Sequence, residues 1–253
     1  MTNLLWADGY KLIAMGYGLW AGGYGLAAMG YLWDEFNIKT FPAQTIVFRD
    51  GVYQPDLSTL PNNLNFDKKH DLPVHIIFIG EIAGKNDIFI EISAENMQVF
   101  FSAKITNKKP AFLNIFIKNT GKNSEFSGKI LAHNHSRLEI NEKAGHFAKN
   151  TGIFMHTRLI AGPDSDSRLS AIAEIAKNCE NCKSDIGFSA LAAQNAKIIF
   201  QPAQQIASAP DDATHSAGVW RATDAQIEYL RGGGLCETEI KEILQESFTN
   251  DFL

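Results

Sequence analysis

The chain has few of the residues that mark a disulfide-rich or a nucleic-acid-binding protein. Its 253 residues include only three cysteines, and an odd number this small cannot build the dense disulfide framework of a small secreted module. Lysine and arginine number 23 against 28 aspartates and glutamates, which leaves a formal net charge of −5. A field of this sign repels phosphate backbones and anionic lipid. We therefore expect a cytoplasmic protein that binds no nucleic acid.

Two common catalytic motifs are also missing from the sequence. It has no Gly-x-x-x-x-Gly-Lys-(Ser/Thr) loop, so a partner would have to supply any ATP hydrolysis. It has no Gly-x-Ser-x-Gly elbow of the kind that presents a catalytic serine. The glycines at 232–234 follow a helical pattern instead of opening one, so they predict a helix stop and not a phosphate cradle.

The first forty residues differ from the rest. Gly-Tyr pairs recur every seven residues, at 9–10, 16–17, 23–24 and 30–31. Residues 12–33 carry no charge over 22 positions, which is long enough to cross a bilayer, yet this stretch contains six glycines. We favour a packed or partner-bound hairpin over membrane attachment, and keep a membrane segment and a disordered segment as alternatives.

The body of the chain reads as many short strands. Ile88, Ile90 and Ile92 alternate with Phe89 and Glu91, the period of two that is typical of a half-buried strand. Similar β-rich runs without long amphipathic helices between them occur at 45–48, 74–79, 98–105, 112–117 and 152–160. This pattern predicts a mainly β protein. A sandwich, a barrel and a parallel β-solenoid all fit the spacing.

Polar and helical segments follow these strands. Composition predicts a loop at 163–167 and a connector at 201–212. Thr223 with Gln226 three positions on predicts a capping box at the start of a helix. In a second helix Ile240, Leu244 and Phe248 fall on one stripe, which needs a partner surface.

One stretch near the C-terminus is similar to a known family. In order it contains Pro-Ala-Gln-Gln-Ile at 202–206, Thr-His-Ser-Ala at 214–217, Tyr-Leu-Arg at 229–231 and Gly-Leu at 234–235. This series resembles the SufB/SufD family, whose members carry a Pro-x-(Leu/Ile)-Glu-(Ile/Val) strand, a Ser-His-Gly-Ala-Thr or Glu-His-Glu-Ala-Thr turn and a helix ending Phe-Tyr-Leu-Arg-Ser-Arg-Gly. Residues 41–61 are similar to the strand and turn that open the SufD core.

The resemblance implies both a fold and a function. It implies a right-handed parallel β-helix over residues 41–220, after the repeat segment 1–40, and a helical partner-docking segment at 221–253. It also implies a non-catalytic scaffold subunit of an iron-sulfur cluster assembly complex, which pairs with a SufB-type subunit or with a second copy of itself. The C-terminal helices would dock a SufC-type ATPase through Tyr229, Leu230, Arg231, Ile240, Leu244 and Phe248.

The resemblance also implies a site for the cluster. Thiolate and imidazole are ligands that iron accepts, and Cys179 and Cys182 have Cys-x-x-Cys spacing. Asn-Cys-Lys-Ser at 181–184 is similar to the turn in which SufB holds its cluster-building cysteine. Cys182 and His215 are therefore the expected ligands of a transient iron-sulfur cluster near the subunit boundary. The alternatives are an ordinary thiol and a hydrogen-bonded turn histidine.

Some positions depart from the family pattern. Gln205 stands in place of the acidic residue of the strand, Ser216 follows the histidine, and Ala213 replaces the SufD-type cysteine. Two other functions stay open: a β-solenoid enzyme that acts on polysaccharide through Asp164 and Asp166, and a membrane-attached structural subunit. His133 and His135 lie in a polar stretch, where we expect an exposed segment more than a metal site.

Overall fold

The computed structural model describes residues 73–250 and 252, and of residues 1–72 it describes only short strands. These strands are β1 Trp6–Ala7, β2 Tyr10–Lys11, β3 Ile13–Ala14, β4 Gln44–Arg49 and β5 Leu64–Phe66. Most of the Gly-Tyr repeat, and with it the choice among hairpin, membrane segment and disorder, lies outside the described residues. Among the described helices, none combines the length and the apolar character that crossing a membrane requires.

The rest of the chain continues with strands and ends in two helices. The strands are β6 Val74–Glu81, β7 Gly84–Ile92, β8 Gln98–Asn107, β9 Ala111–Asn119, β10 Glu125–Asn134, β11 Arg137–His146, β12 Gly152–Ala161, β13 Asp166–Ile175, β14 Lys183–Ala192, β15 Lys197–Ile206 and β16 Asp212–Trp220. The helices are α1 Asp224–Gly232 and α2 Glu237–Thr249.

Successive strands alternate between two sheets. One sheet has the order β16-β14-β12-β10-β8-β6-β4-β3 and the other the order β15-β13-β11-β9-β7-β5. From β4 onward every pairing within them is parallel. The chain therefore coils as a parallel β-helix of about five turns. This confirms the predicted mainly β fold and the β-helix, and it excludes the sandwich and the barrel.

The core lies between the two sheets and is filled by every second residue of each strand. In β9, Ala111, Leu113, Ile115 and Ile117 are buried, while the residues between them are half-buried or exposed. Because paired residues in parallel strands point to the same face, each turn adds its apolar side chains to one continuous row. Burying one such isoleucine contributes about 1.5–3 kcal/mol.

A ladder of asparagines lines one corner of the β-helix. Asn96, Asn123, Asn150 and Asn181 have φ of 56°, 57°, 57° and 57°, the left-handed region that asparagine tolerates better than most residues. The side-chain amide of each later asparagine donates to the carbonyl oxygen of the one before, at 3.1, 2.8 and 3.2 Å along the ladder. The partners are 27, 27 and 31 residues apart, so the ladder is kept across turns of different length.

Several strands were not predicted from the sequence, and the connector predicted at 201–212 is wrong. Residues 197–206 form β15, and only 207–211 connect it to β16. The hydrophobic pattern of β15 is weak because it belongs to the last turn and faces solvent. Strands β13 and β14 were missed because small residues such as Ala171, Ala173 and Ala190 fill their inward positions. The loop predicted at 163–167 ends earlier, since β13 starts at Asp166.

The two predicted helix signals are confirmed. The Thr223 side chain accepts a hydrogen bond from the Gln226 backbone N–H, and the Gln226 side chain accepts one from the Thr223 backbone N–H, so the capping box is complete. Helix α1 ends at Gly232, and Gly234 then adopts φ of 91°, where a residue with a Cβ is strained.

The asparagine ladder leads to a stability prediction at Asn150. The variant N150G keeps the left-handed backbone but loses two exposed side-chain hydrogen bonds, so we expect the free energy of unfolding to fall by about 1 kcal/mol. The variant N150V also forces a β-branched residue into this backbone region, which adds about 1–3 kcal/mol. Urea denaturation followed by circular dichroism measures both, and equal losses would contradict the backbone argument.

Candidate functional site

The last turn of the β-helix is open. Strands β15 and β16 are the edges of their sheets. Ile175 is 1% exposed, whereas Ile206, its partner on β15, is 48% exposed. Ala190 is fully buried, whereas Val219, its partner on β16, is 52% exposed. Ile198 and Phe200 of β15 still pack against the core, but the core-facing positions of Ile206 and Val219 are open to solvent, and the described residues place no further strand over them.

His215 lies on this open turn. It pairs with Ile186 of β14, a core residue that is 1% exposed. Since directly paired residues share a face, His215 occupies a core-facing position, yet it is exposed because β16 is the last strand. The imidazole is thus available to whatever covers the end of the β-helix.

Cys182 lies in a buried corner and not on the open turn. Its side chain is fully buried, and its Sγ is 3.2 Å from the Thr151 hydroxyl and 3.3 Å from the Ala148 carbonyl oxygen. Ser124, Thr151 and Cys182 each precede the first residue of a strand at the same register. Cys182 therefore occupies a position that serine and threonine fill in the two preceding turns.

The structure does not bring the Cys182 side chain and His215 together within one molecule. The connection is through the backbone, because the Cys182 carbonyl oxygen accepts from the N–H groups of Asp211 and Asp212 at 2.9 and 3.4 Å. Across residues 73–250, no group of three or more His, Cys, Asp or Glu side chains is placed to hold a metal ion. The predicted cluster ligands stay a prediction, in which a partner subunit supplies further ligands.

The second cysteine is buried as well. Cys179 is 4% exposed and packs with Ile175 and Cys182. Burial raises the pKa of the Cys179 thiol, and the neighbouring Cys182 raises it further, while Lys149 opposes the shift. Because the thiolate is the metal-binding form, the surroundings of Cys179 disfavour the form of this side chain that a metal needs.

A buried histidine extends the same corner. His146 is fully buried, and its Nδ1 is 2.8 Å from the Thr151 hydroxyl. Burial lowers the pKa of His146 to about 4, so the ring is neutral near pH 7. Asn119 and Ser124 make the equivalent contact one turn earlier. This repeated five-residue spacing was the signal that the sequence analysis missed.

A carboxyl group is buried between the sheets. Glu142 of β11 is 3% exposed, and Thr157 of β12 donates a 2.6 Å hydrogen bond to its Oε1, while Oε2 has no partner. Burial raises the pKa of Glu142 from 4.5 to about 7, against the opposing effect of Thr157. Ile140, Glu142 and Ala144 are alternate residues of one strand, and this spacing of two indicates that Glu142 faces inward like its apolar neighbours. The inward position of Glu142 was not predicted from the sequence.

The second helix covers part of the outer face of the eight-stranded sheet. Phe248 and Phe252 pack against Leu131 and Ile160. Arg158 donates a 2.6 Å hydrogen bond to the Phe248 carbonyl oxygen, and its guanidinium lies 4.5 Å from the centre of the Phe252 ring.

Three of the predicted docking residues are on this second helix. Ile240 is 4% exposed, Leu244 is half-buried, and Phe248 makes the contacts within the chain that were just described. The apolar stripe that was predicted to need a partner surface thus finds at least part of that surface on its own β-helix.

The first helix is more accessible. None of the residues of α1 is buried, and Tyr229 is 81% exposed. Leu230 is half-buried, and Arg231 pairs with Glu228 and Glu237. Of the predicted docking residues, Tyr229 is therefore the one that offers most surface to a partner.

The remaining candidates have surroundings that do not suit the predicted chemistry. In the strand register Asp166 lies opposite Arg137 on one side and Lys197 on the other, so the neighbouring turns offer it cations. Asp164 lies in the loop before β13, with φ of 54°, and a polysaccharide-active pair of these two residues stays a prediction. The pKa of His133 falls to about 4, chiefly through burial and also through Lys104 and other cations nearby. A cationic environment disfavours a metal ion there.

Comparison with known proteins adds no family to this geometry. No protein-family model and no curated protein matches the chain. A parallel β-helix does not by itself indicate a function, because one fold hosts unrelated activities. The exposed residues of the last turn and of α1 therefore carry the functional argument.

The buried carboxyl of Glu142 predicts a pH-dependent stability. Its pKa is higher in the folded protein, so the contribution of Glu142 to the unfolding free energy is largest below pH 4.5 and is lost as pH rises through about 7. Between pH 5 and pH 8 we expect a loss of about 3 kcal/mol that the variant E142Q does not show. Denaturant titrations at both pH values measure it, with E174Q on the outer face as control. An unchanged pH dependence in E142Q would contradict the burial argument.

The corner row predicts which substitutions Cys182 tolerates. The variants C182S and C182T place at this position the side chains that the preceding turns already carry, so we expect losses within about 1.5 kcal/mol. The variant C182L overfills the corner and should cost about 1–3 kcal/mol or more. Thermal unfolding compares the three, and a leucine variant as stable as the serine variant would show that the corner is not closely packed.

Proposed function

We propose that the chain is a non-catalytic scaffold subunit of an iron-sulfur cluster assembly complex, similar to SufD. In this proposal the subunit pairs with a SufB-type subunit through the open last turn and docks a SufC-type ATPase through α1. The observation that carries the proposal is that the residues of the resemblance lie on exposed elements. Pro202, His215 and Tyr229 are in β15, β16 and α1, where packing in the core does not explain their presence.

The open turn has the features of a subunit interface. Ile206, Val219 and Trp220 are 48%, 52% and 68% exposed, and an edge strand presents unpaired backbone groups that a second chain can bind. Tryptophan is among the residues that most often contribute strongly to binding. A further β-rich subunit laid against β15 and β16 would bury this surface and continue the β-helix.

The accessible helix supports a second contact. The chain has no phosphate-binding loop of its own, so an assembly that uses ATP needs a separate ATPase subunit. Tyr229 presents an amphipathic ring that is 81% exposed, on the helix that follows β16. A scaffold that joins two partners needs two contact surfaces, here the open turn and α1.

The cluster itself would be cargo at the subunit boundary. His215 is exposed at a core-facing position of the last turn, so its imidazole would lie inside the joined β-helix after pairing. Cys182 is one backbone hydrogen bond away from the loop that leads into β16. A small movement of this corner would be needed before its thiol reached iron.

Co-purification tests the scaffold proposal. The chain is co-expressed with a SufB-type and a SufC-type subunit, and we expect a ternary complex. The variant V219D should weaken binding of the SufB-type subunit at least tenfold, because it places a charge in the buried centre of the interface, whereas Y229A should weaken only the ATPase. The control F89A removes a partly exposed aromatic residue from β7, near the other end of the β-helix. A monomer that binds neither subunit would overturn the proposal.

Anaerobic reconstitution with iron and sulfide tests the cargo site in the assembled complex. We expect visible absorption that falls several-fold in H215A and in C182S. The control H135A removes another exposed histidine from a turn that is far from β16 in sequence. Equal absorption in all the variants would show that Cys182 and His215 are not ligands of the cluster. The subunit contacts would not be affected by this result, because co-purification tests them separately.

A further inference from the structure

A serine, a histidine and an aspartate meet on the outer face of the eight-stranded sheet. His156 lies on β12, Asp185 on β14 and Ser216 on β16, three successive strands of that sheet. His156 is paired with Gly187, and Gly187 is paired with Ser216. The histidine and the serine are therefore on one straight row, with a glycine between them.

Hydrogen bonds fix the histidine ring. The Asp185 Oδ2 is 3.0 Å from the His156 Nε2, and the Thr214 hydroxyl donates a 2.7 Å hydrogen bond to Oδ1 of the same carboxylate. A carboxylate only accepts hydrogen bonds, so Nε2 carries the ring proton. In the neutral ring Nδ1 then holds the free lone pair, which is the arrangement of a base oriented by a third group.

Gly187 has no side chain, which leaves the space between His156 and Ser216 open. A Cβ added at Gly187 would lie 2.7 Å from the His156 Nδ1 and 3.2 Å from the Ser216 Oγ. The Gly187 backbone is not in the left-handed region, so close approach and not conformation is the reason for glycine in the middle of β14. The lone pair and the hydroxyl thus border the same gap above Gly187 without a hydrogen bond between them, and one bridging water or a substrate atom can occupy that gap.

The group is open to solvent. The His156 and Asp185 side chains are 41% and 34% exposed, and Ser216 is exposed. Helix α2 packs further along the same face, at Leu131 and Ile160. Small esters can therefore reach the serine from outside the β-helix, on the face opposite to the one that His215 occupies.

We propose that Ser216 is a nucleophile that takes an acyl group from an activated ester and releases it to water. The Ser216 oxygen attacks the ester carbonyl carbon while its proton passes to the His156 Nδ1. The carbon-oxygen bond to the leaving alcohol then breaks, and the alcohol takes that proton. Water attacks the acyl-serine in the second half, giving the carboxylic acid and restoring the hydroxyl. His156 and Ser216 are the catalytic residues, and Asp185 is a positioning residue.

This activity goes beyond the scaffold role and does not depend on it. Its residues lie on the outer face, whereas the proposed subunit contacts use the open end and α1. Loss of SufB-type binding in V219D and loss of esterase activity in a Ser216 variant are separate results.

Two probes of the full chain test the proposal. The first is the rate of p-nitrophenyl acetate hydrolysis, and the second is a fluorophosphonate that labels activated serines, with the labelled peptide identified by mass spectrometry. We expect label on Ser216 and at least a tenfold lower hydrolysis rate in S216A and in H156Q. The variant D185N should lower the rate and D185E should restore part of it, since only a carboxylate fixes the tautomer.

The control is S189A, which removes another serine from the outer face of β14. Its rate and label should equal those of the unchanged chain. Label that persists in S216A, or a hydrolysis rate that H156Q leaves unchanged, would overturn the proposal and leave His156 and Asp185 as an ordinary surface ion pair.

Discussion

Parallel pairing holds each turn of the β-helix against the next, and both the core and the corners follow from this pairing. A strand of one turn contributes hydrogen bonds to both neighbours, and its inward side chains extend the apolar rows of the core. The corner between two strands must then adopt the same backbone conformation in each turn. The amide ladder of Asn96, Asn123, Asn150 and Asn181 meets this demand, because each asparagine both adopts the left-handed turn and bonds to the turn before it.

Repetition also explains where the polar groups lie. Ser124 and Thr151 occupy the same corner position in successive turns, and Cys182 follows them there. The Cys-x-x-Cys spacing that suggested a metal site thus has a packing explanation as well. Each internal turn is covered by the turn that follows it, but the last described turn has no such neighbour. For this reason Ile206, His215 and Val219 are exposed although they occupy core-facing positions.

The two proposed functions use different consequences of the same stacking. The open end exposes core-facing side chains and unpaired backbone, which suits the binding of another subunit. The outer face places residues from three strands at the spacing of neighbouring turns, which is how His156, Asp185 and Ser216 come together although they are far apart in sequence. Neither proposed function requires a pocket, since the open end and the outer face of the sheet are both exposed surfaces of the β-helix.

Four features could be predicted from the sequence, because they depend on residues close together in the chain. They are the strand-rich character of the body, the alternation of Ile88, Ile90 and Ile92, the capping box at Thr223 and the helix stop at 232–234. The sequence did not reveal β15, the buried Glu142 or the group around His156. These depend on register between turns that are 27 to 31 residues apart, and local pattern carries no information about which residues face each other across that distance. The register of the stacked turns places Cys182 in a closed corner and His215 on an open end, and this register exists only in the folded chain.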